Sequence, residues 1–169
     1  MSPIDWAVRP FQKYADFNGR AARPEFWWYV LLTVVAGVVA MILDSLIGTE
    51  KMVGPYGLVT LLLLAVTIVP SIAVQTRRLH DTNRSGLWLV GFYIPYAIYV
   101  YLAVKAVAAL EGMQTTGEMP ADAGSLAMTG LVGLVVLVLA IVLIVFFVKR
   151  GTVGENRYGP DPDAGGTSA

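Results

Sequence analysis

Residues 126–148 read LAMTGLVGLVVLVLAIVLIVFFV. The stretch carries no charged side chain, and it has no polar side chain between Gly133 and Lys149. A helix needs about 20 consecutive apolar residues to cross the hydrocarbon core of a bilayer. The stretch is long and apolar enough, so it predicts a membrane-spanning helix.

Three earlier stretches, at about residues 26–47, 58–76 and 87–109, are also long and apolar enough to span. We therefore expect an all-α membrane protein with four transmembrane helices. The connecting pieces are too short to form a soluble core of their own. Residues 1–158 are predicted to be one membrane domain. Residues 159–169, GPDPDAGGTSA, have the composition of a disordered tail.

The composition of the whole chain agrees with this class. Of 169 residues, 56% are hydrophobic and only 14% are charged, and the formal net charge is zero. Soluble domains carry roughly a quarter charged residues. A neutral chain is not a typical nucleic-acid binder, so we expect no nucleic-acid partner. The absence of cysteine excludes disulfides and thiolate sites, and His80 is the only histidine. We expect no metal site and no cofactor.

Positive residues set the orientation of membrane helices, because they are retained on the cytoplasmic side. All but two of the 12 Lys and Arg residues lie before the first span, between spans two and three, or after span four. They are Arg9, Lys13, Arg20, Arg23, Arg77, Arg78, Arg84, Lys149, Arg150 and Arg157. The other side has Lys51 and Lys105, with Asp44, Glu50, Glu111, Glu118 and Asp122. This distribution predicts that both termini are cytoplasmic in a bacterial inner (plasma) membrane.

A short helix is also predicted before the first span. Apolar residues recur at helical spacing within residues 4–18. They are Ile4, Ala7, Phe11, Tyr14 and Phe17. The pattern is typical of an amphipathic helix lying in the membrane interface. Pro10 falls inside it and would break or kink the helix, which leaves an irregular entry segment as the second interpretation.

Three polar segments abut the spans on the predicted cytoplasmic side. They read FNGRAARPEFWW (17–28), RRLHDTNRSGLW (77–88) and GENRYGPDP (154–162). In this order, with the spans between them, they resemble the domain-of-unknown-function family 805, the YhaH-like bacterial inner-membrane proteins. The resemblance covers nearly the whole chain. It implies a small polytopic inner-membrane protein, and it implies no particular activity.

The arginines of these segments allow two interpretations. In the structural one they pair with Glu25 and Asp81 and fix the helix ends. In the functional one an Arg/Trp face binds an anionic phospholipid headgroup or a protein partner, since guanidinium groups suit phosphate and carboxylate. The partner would be another membrane protein or a second copy in a homo-oligomer. The candidate residues are Arg20, Arg23, Trp27, Trp28, Arg77, Arg78, His80, Arg84, Trp88 and Arg157.

A polar seam in span two carries the main alternative function. Thr60, Thr67, Ser71 and Gln75 share one helix face. We favour helix packing for this seam. A pathway would look the same, so an oligomeric small-solute transporter or channel subunit stays open. That alternative would also use the tyrosines of span three, at positions 93, 96, 99 and 101.

An enzyme is the third interpretation, and it rests on His80 beside Asp81. No nucleophile motif, phosphate-binding glycine loop or metal motif accompanies that pair. We therefore expect no enzymatic activity.

Asp44 lies near the outer end of span one, and two arrangements are expected for it. It pairs with Lys105 or, slightly more favoured, it lies unpaired with its side chain extended to the membrane surface.

Overall fold

The computed structural model describes residues 1–49, 56–116 and 123–164. These residues form five α-helices and no strand. The helices are α1 (Pro3–Gln12), α2 (Arg23–Ile47), α3 (Leu58–Asp81), α4 (Leu87–Thr116) and α5 (Ala123–Val148). Helices α2 to α5 are long and apolar enough to cross a membrane, which confirms the predicted four-span, all-α class. Glu50, Lys51, Glu118, Asp122 and residues 165–169 lie outside the described ranges.

Two helix bounds differ from the sequence prediction in an informative way. Helix α3 continues past residue 76 to Asp81, and α2 begins at Arg23 rather than near residue 26. Charged residues suggested that the helices had ended. They instead lie inside the helices, and the side chains of Glu25, Arg77, Arg78 and Asp81 are bonded to other parts of the chain. The functional site is built from these two extensions.

The described residues form two compact units, Met1–Gly86 with Phe147–Ala169, and Leu87–Phe146. In the second unit the Tyr99 ring lies against Gly133, where an added Cβ would be 3.0 Å from the ring. Trp88 packs edge-on against Phe146, with ring centroids 5.1 Å apart. The Lys105 ammonium lies over the Tyr101 ring. The prediction of one domain over residues 1–158 stays a prediction.

Helix α1 is present, over Pro3–Gln12. Ser2 and Asp5 form a reciprocal capping box at its start, and Pro3 occupies the first turn, where no N–H is needed. Pro10 is buried and lies inside the helix, which ends two residues later. Phe11 then packs against Tyr29 of α2, and the hydroxyl of Tyr14, just beyond α1, donates to the carbonyl oxygen of Val66 in α3.

The polar seam of α3 faces α2. The Tyr29 hydroxyl donates to the Thr67 carbonyl oxygen at 3.1 Å and lies 2.9 Å from the Ser71 hydroxyl. Thr67 donates its own hydroxyl to the carbonyl oxygen of Leu63. Gln75, the fourth member, also has an interaction partner. These bonds support the packing interpretation of the seam.

Asp44 fixes the other end of the α2–α3 pair and is neither unpaired nor exposed. Its carboxylate accepts hydrogen bonds from the N–H groups of Val59 and Thr60 at 2.8 Å each. The hydroxyls of Thr49 and Thr60 also donate to it. A residue of α2 thus caps the first turn of α3, where free N–H groups and the helix dipole favour an anion. Neither sequence interpretation of Asp44 anticipated this.

Candidate functional site

The site lies in the first unit, where the start of α2, the end of α3 and the segment after α5 meet. Arg20 comes from the loop before α2, directly after Gly19 with its φ of 77°. Glu25 lies in the first turn of α2. Arg77, Arg78 and Asp81 lie at the end of α3. We call these five residues the arginine cluster, and all five are buried.

Asp81 is the centre of the cluster. Its Oδ1 accepts a hydrogen bond from Arg20 Nε at 3.0 Å and lies 2.9 Å from Arg20 Nη2. Its Oδ2 accepts a hydrogen bond from Arg78 Nη1. The carboxylate is therefore shared between two guanidinium groups, and such pairing is what makes a buried charge tolerable.

Arg78 connects three chain segments through backbone carbonyls. Its Nε donates to Phe147 O at 3.0 Å, its Nη1 reaches Ala21 O at 3.4 Å, and its Nη2 donates to Lys149 O. Phe147 lies in the last turn of α5 and Lys149 follows the helix directly, and the last carbonyls of a helix have no helical partner. A cation is favourable there, because it also complements the negative end of the helix dipole.

Arg77 ties the segment between α1 and α2 to the same place. Its Nη2 donates to Glu25 Oε1 at 2.9 Å, and its Nη1 donates to the carbonyl oxygens of Lys13 and Asp16. The Nε of Arg77 has no hydrogen-bond partner among the described residues. Arg9 approaches the second oxygen of Glu25 at 3.6 Å.

The loop that follows α5 closes over Arg20. The Arg20 guanidinium donates to the carbonyl oxygens of Thr152, Gly154 and Gly159. Thr152 N–H donates to Asp81 O at 2.8 Å. A side chain at Gly151 would bring its Cβ within 3.0 Å of the Asp81 carboxylate, so the close approach requires glycine.

A second set of contacts holds the same loop to the end of α3. The His80 and Tyr158 rings stack with centroids 3.8 Å apart and an interplanar angle of 3°. Asn156 Nδ2 donates to His80 O at 3.0 Å, and Arg157 Nη2 donates to Asn83 O at 3.1 Å. His80 Nδ1 lies 3.1 Å from Gly19 O. The three polar segments therefore form one structure.

The Asp161 carboxylate holds this loop together through two hydrogen bonds and lies near Arg20. The N–H groups of Asp163 and Gly154 donate to its carboxylate at 3.0 Å each, and Arg20 lies 3.9 Å away. These two N–H donors, followed by the charges of Arg20 and Arg150, lower the pKa of Asp161 below its ordinary value of 3.8. Gly159 to Ala164 were predicted to belong to a disordered tail. The described contacts of Gly159 and Asp161 place these two residues in the loop, and the disordered tail stays a prediction.

The sequence that forms this site matches a known family. Residues 14–160 match the family described as Protein of unknown function (DUF805). The chain belongs to the DUF805 family. This confirms the resemblance of the three polar segments, which lie almost wholly inside the matched range.

Two curated relatives from Escherichia coli (strain K12) cover nearly the same length. Inner membrane protein YhaI is 29% identical over 162 residues, which is 96% of this chain and 98% of the relative. Inner membrane protein YhaH is 30% identical over 159 residues, which is 94% of this chain and 97% of the relative. No solved structure matches. This DUF805 chain is thus similar over its full span to proteins of the inner membrane.

The DUF805 structure divides the predicted site residues into two groups. Arg20, Arg77 and Arg78 are buried and donate to the chain itself, with Glu25 and Asp81 as their acidic partners. Their pairing follows the structural interpretation of these arginines, and their burial does not fit the exposed Arg/Trp face of the functional interpretation. The burial is possible because backbone carbonyls and the two carboxylates together accept nearly all of their N–H donors.

The second group stays accessible. Arg157 is exposed, and its guanidinium lies over the Tyr158 ring. Arg84 and His80 are partly exposed, and Arg84 Nη1 donates to Thr82 O. Trp27 and Trp28 are 40% and 39% exposed. Trp88 is also exposed, and it belongs to the second unit.

Sequence reasoning did not select Lys149 and Arg150 as site residues. Both follow α5 directly, both are exposed, and neither side chain forms an ion pair or a hydrogen bond with the described residues. Partly exposed Arg23 has no such partner either. Their place immediately beside the two most apolar runs was the available signal. Within residues 1–49, 56–116 and 123–164 no group of three or more acidic or histidine residues is placed to hold a metal ion.

Proposed function

We propose that this DUF805 protein is a non-enzymatic protein of the bacterial inner membrane. It binds anionic phospholipid headgroups with the end of the first unit that carries the arginine cluster. Both termini lie on the cytoplasmic side. The proposal combines the membrane helices with the distribution of charge around the cluster.

The observation that carries the proposal is that the three cluster arginines are neutralised by three nearby carboxylates, two inside the cluster and one, that of Asp161, outside it. Arg20, Arg77 and Arg78 are matched by Glu25, Asp81 and Asp161, all within salt-bridge distance of one of them. The excess positive charge of this end therefore lies on side chains outside the cluster. Exposed cations next to a membrane span attract anionic lipids by about 1 kcal/mol for each Lys or Arg.

Aromatic side chains support a position at headgroup depth. Trp27 and Trp28 are partly exposed in the second turn of α2, close to the arginine cluster. Indole rings are enriched where the hydrocarbon core meets the headgroups. Cations and indoles at the same level suit a phosphate whose acyl chains continue along the helices.

The environment of His80 and Asp81 argues against the enzyme alternative. Asp81 is buried and shared by two guanidinium groups, so it is not open to a substrate. The His80 ring stacks on Tyr158, and its Nδ1 is taken up by Gly19 O. A general acid or base must reach the substrate proton, and this pair has no exposed carboxylate to offer.

The bonding of the span-two seam counts against the transporter alternative. The hydroxyls of Thr60, Thr67 and Ser71 bond within the α2–α3 pair. A seam whose polar groups are already paired is a packing surface rather than a pathway lining. Flux of a small solute in liposomes carrying the purified protein would restore this alternative.

Native mass spectrometry of the full chain tests the proposal. The protein is released into detergent with phosphatidylglycerol and phosphatidylcholine of equal chain length. We expect phosphatidylglycerol to be retained preferentially, and the preference to shrink as salt rises, because exposed charges are screened over about 10 Å at 0.1 M. Equal retention of the two lipids at low salt would refute the proposed function.

A further inference from the structure

We infer that the phosphate of an anionic phospholipid is held at the junction between the start of α2 and the end of α5. The residues that hold it are Arg23, Trp27, Lys149 and Arg150, which we call the junction site. This inference rests on the proposed function and assigns it to one location. The buried arginines are not part of the site.

Arg78 shows that the two helix ends meet. Its guanidinium donates to the carbonyl oxygens of Ala21, Phe147 and Lys149 at once. The rings of Phe26 and Phe147 also pack with centroids 4.6 Å apart. Arg23 follows Ala21 by two positions, so the backbone at Arg23 lies close to the backbone at Lys149.

The charge of this junction is uncompensated. Arg23, Lys149 and Arg150 form no ion pair within 4.0 Å among the described residues. Arg23 lies near enough to the buried Arg78 to repel it. Arg150 acts on Asp161 only at longer range, and that carboxylate already lies beside Arg20. Adjacent like charges repel, and a bound anion removes that repulsion.

The anion available at this depth is a lipid phosphate. Lys149 follows the most apolar helix of the chain directly, so it lies where the hydrocarbon core gives way to headgroups. A guanidinium group binds two phosphate oxygens at once, and an ammonium adds a further donor. The junction site offers two guanidinium groups and one ammonium group.

Trp27 belongs to this site, and Trp28 does not. Trp27 lies four residues after Arg23 and therefore on the same face of α2, and its ring packs on Phe26. Trp28 points elsewhere. It lines an apolar groove of about 210 Å³ with Pro3, Ile4 and Ala7 of α1 and with α2 residues further along. Two adjacent, equally exposed indoles thus give a matched pair for a test.

The deciding experiment compares two double variants that remove equal charge. Lys149→Gln with Arg150→Gln alters the junction site, and Arg84→Gln with Arg157→Gln alters cations elsewhere on the same end. Phosphatidylglycerol retention is measured by native mass spectrometry on the full chain, with the thermal midpoint recorded for each variant. The affinity for an anionic lipid surface falls about fivefold for each nearby cation that is removed. We therefore expect about a 25-fold loss in the junction variant, and a loss at least about fivefold smaller in the control variant.

Three further variants distinguish a lost binding site from misfolding. Lys149→Arg with Arg150→Lys keeps both charges and should retain the lipid. Trp27→Leu should weaken retention, and Trp28→Leu should not. Equal losses in the two double variants, with wild type still preferring phosphatidylglycerol, would overturn the junction site and leave the proposed function standing. No preference in wild type would instead remove the proposed function.

A phosphate probe separates a lipid site from a site for a free anion. The delipidated protein is titrated with inorganic phosphate and, separately, with phosphatidylglycerol in mixed micelles. Tighter binding of the lipid, reduced by the junction variant, supports the inference. Binding of inorganic phosphate without retention of the lipid would assign the site to a soluble anion and overturn the inference.

Discussion

Arg20 and Asp81 lie 61 positions apart in the sequence, and Arg20 Nε donates to Asp81 Oδ1 at 3.0 Å in the interior of the protein. The side chains of both residues are at most 3% exposed. The same guanidinium donates to the loop that follows α5, and the same carboxylate also accepts a bond from Arg78. This one contact therefore connects the start of α2, the end of α3 and the C-terminal loop. It makes Arg20 and Arg78 primarily elements of the fold.

Replacement of Arg78 should destabilise the protein strongly. Arg78→Gln leaves Asp81 with one guanidinium fewer and leaves the carbonyl oxygens of Phe147 and Lys149 without their donor. Breaking a buried ion pair costs about 3–5 kcal/mol. Reversible unfolding of the purified protein in mixed micelles measures the loss. Arg157→Gln, at an exposed arginine, is the control and should change stability by no more than about 0.5 kcal/mol. Equal effects of the two substitutions would contradict a buried role for Arg78.

Gly57 should resist substitution because Asp44 occupies the space beside it. Gly57 has a φ of 66°, and an added Cβ would lie closer than 3.0 Å to the Asp44 side chain. Gly57→Ala should therefore displace the carboxylate that caps α3. Loss of a helix cap alone costs about 0.5–2 kcal/mol. Gly37→Ala, where nothing lies within 4 Å, should be neutral or slightly stabilising in a helix. Thermal midpoints of the two variants decide, and a tolerated Gly57→Ala would argue against the Asp44 cap.

The C-terminal loop should be held less firmly at acidic pH, because the Asp161 carboxylate becomes protonated. Its pKa is lowered from 3.8 in the folded protein by the N–H groups of Asp163 and Gly154. A lowered folded pKa means that the carboxylate stabilises the fold above its unfolded pKa. That contribution disappears as the pH falls through the lower, folded pKa. Asp161→Asn should therefore melt below wild type at pH 7, and the difference should vanish at strongly acidic pH. A difference that is independent of pH would contradict this origin.

The orientation of the helices can be tested without removing any native thiol, because the chain has no cysteine. Ser2→Cys and Val153→Cys introduce exposed thiols on the side that we assign to the cytoplasm, and Tyr56→Cys introduces one on the other side. A membrane-impermeant maleimide applied to spheroplasts should label only the Tyr56→Cys protein. Labelling of the Ser2→Cys or Val153→Cys protein from outside would reverse the assigned topology.

The sequence was sufficient to predict the four spans but not the structure of their polar ends. Apolar length alone locates the four helices to within a few residues, because the bilayer sets that length. It does not show that Arg77 and Arg78 stay helical, since the partners of their charges lie in other segments. The cap formed by Asp44 was missed for the same reason, because its donors are backbone N–H groups of the next helix.

The candidate site was only partly predictable from composition and position. The pairing of the arginines with Glu25 and Asp81 was one of two interpretations that the sequence allowed. The sequence could not separate Arg78, whose donors are taken up by the chain, from Arg23, which has no partner among the described residues. That separation depends on three carbonyl oxygens converging on one guanidinium, and it appears only in three dimensions.

A double-mutant cycle on Arg20 and Asp81 tests the central claim most directly. Unfolding free energies are measured for wild type, Arg20→Gln, Asp81→Asn and the double variant in the same micelles. If the contact joins the three segments in the interior, the interaction energy should exceed about 1 kcal/mol, in the range found for contacting residues. Additive effects, within about 0.5 kcal/mol, would mean that the two side chains act independently. That result would contradict the buried arginine cluster.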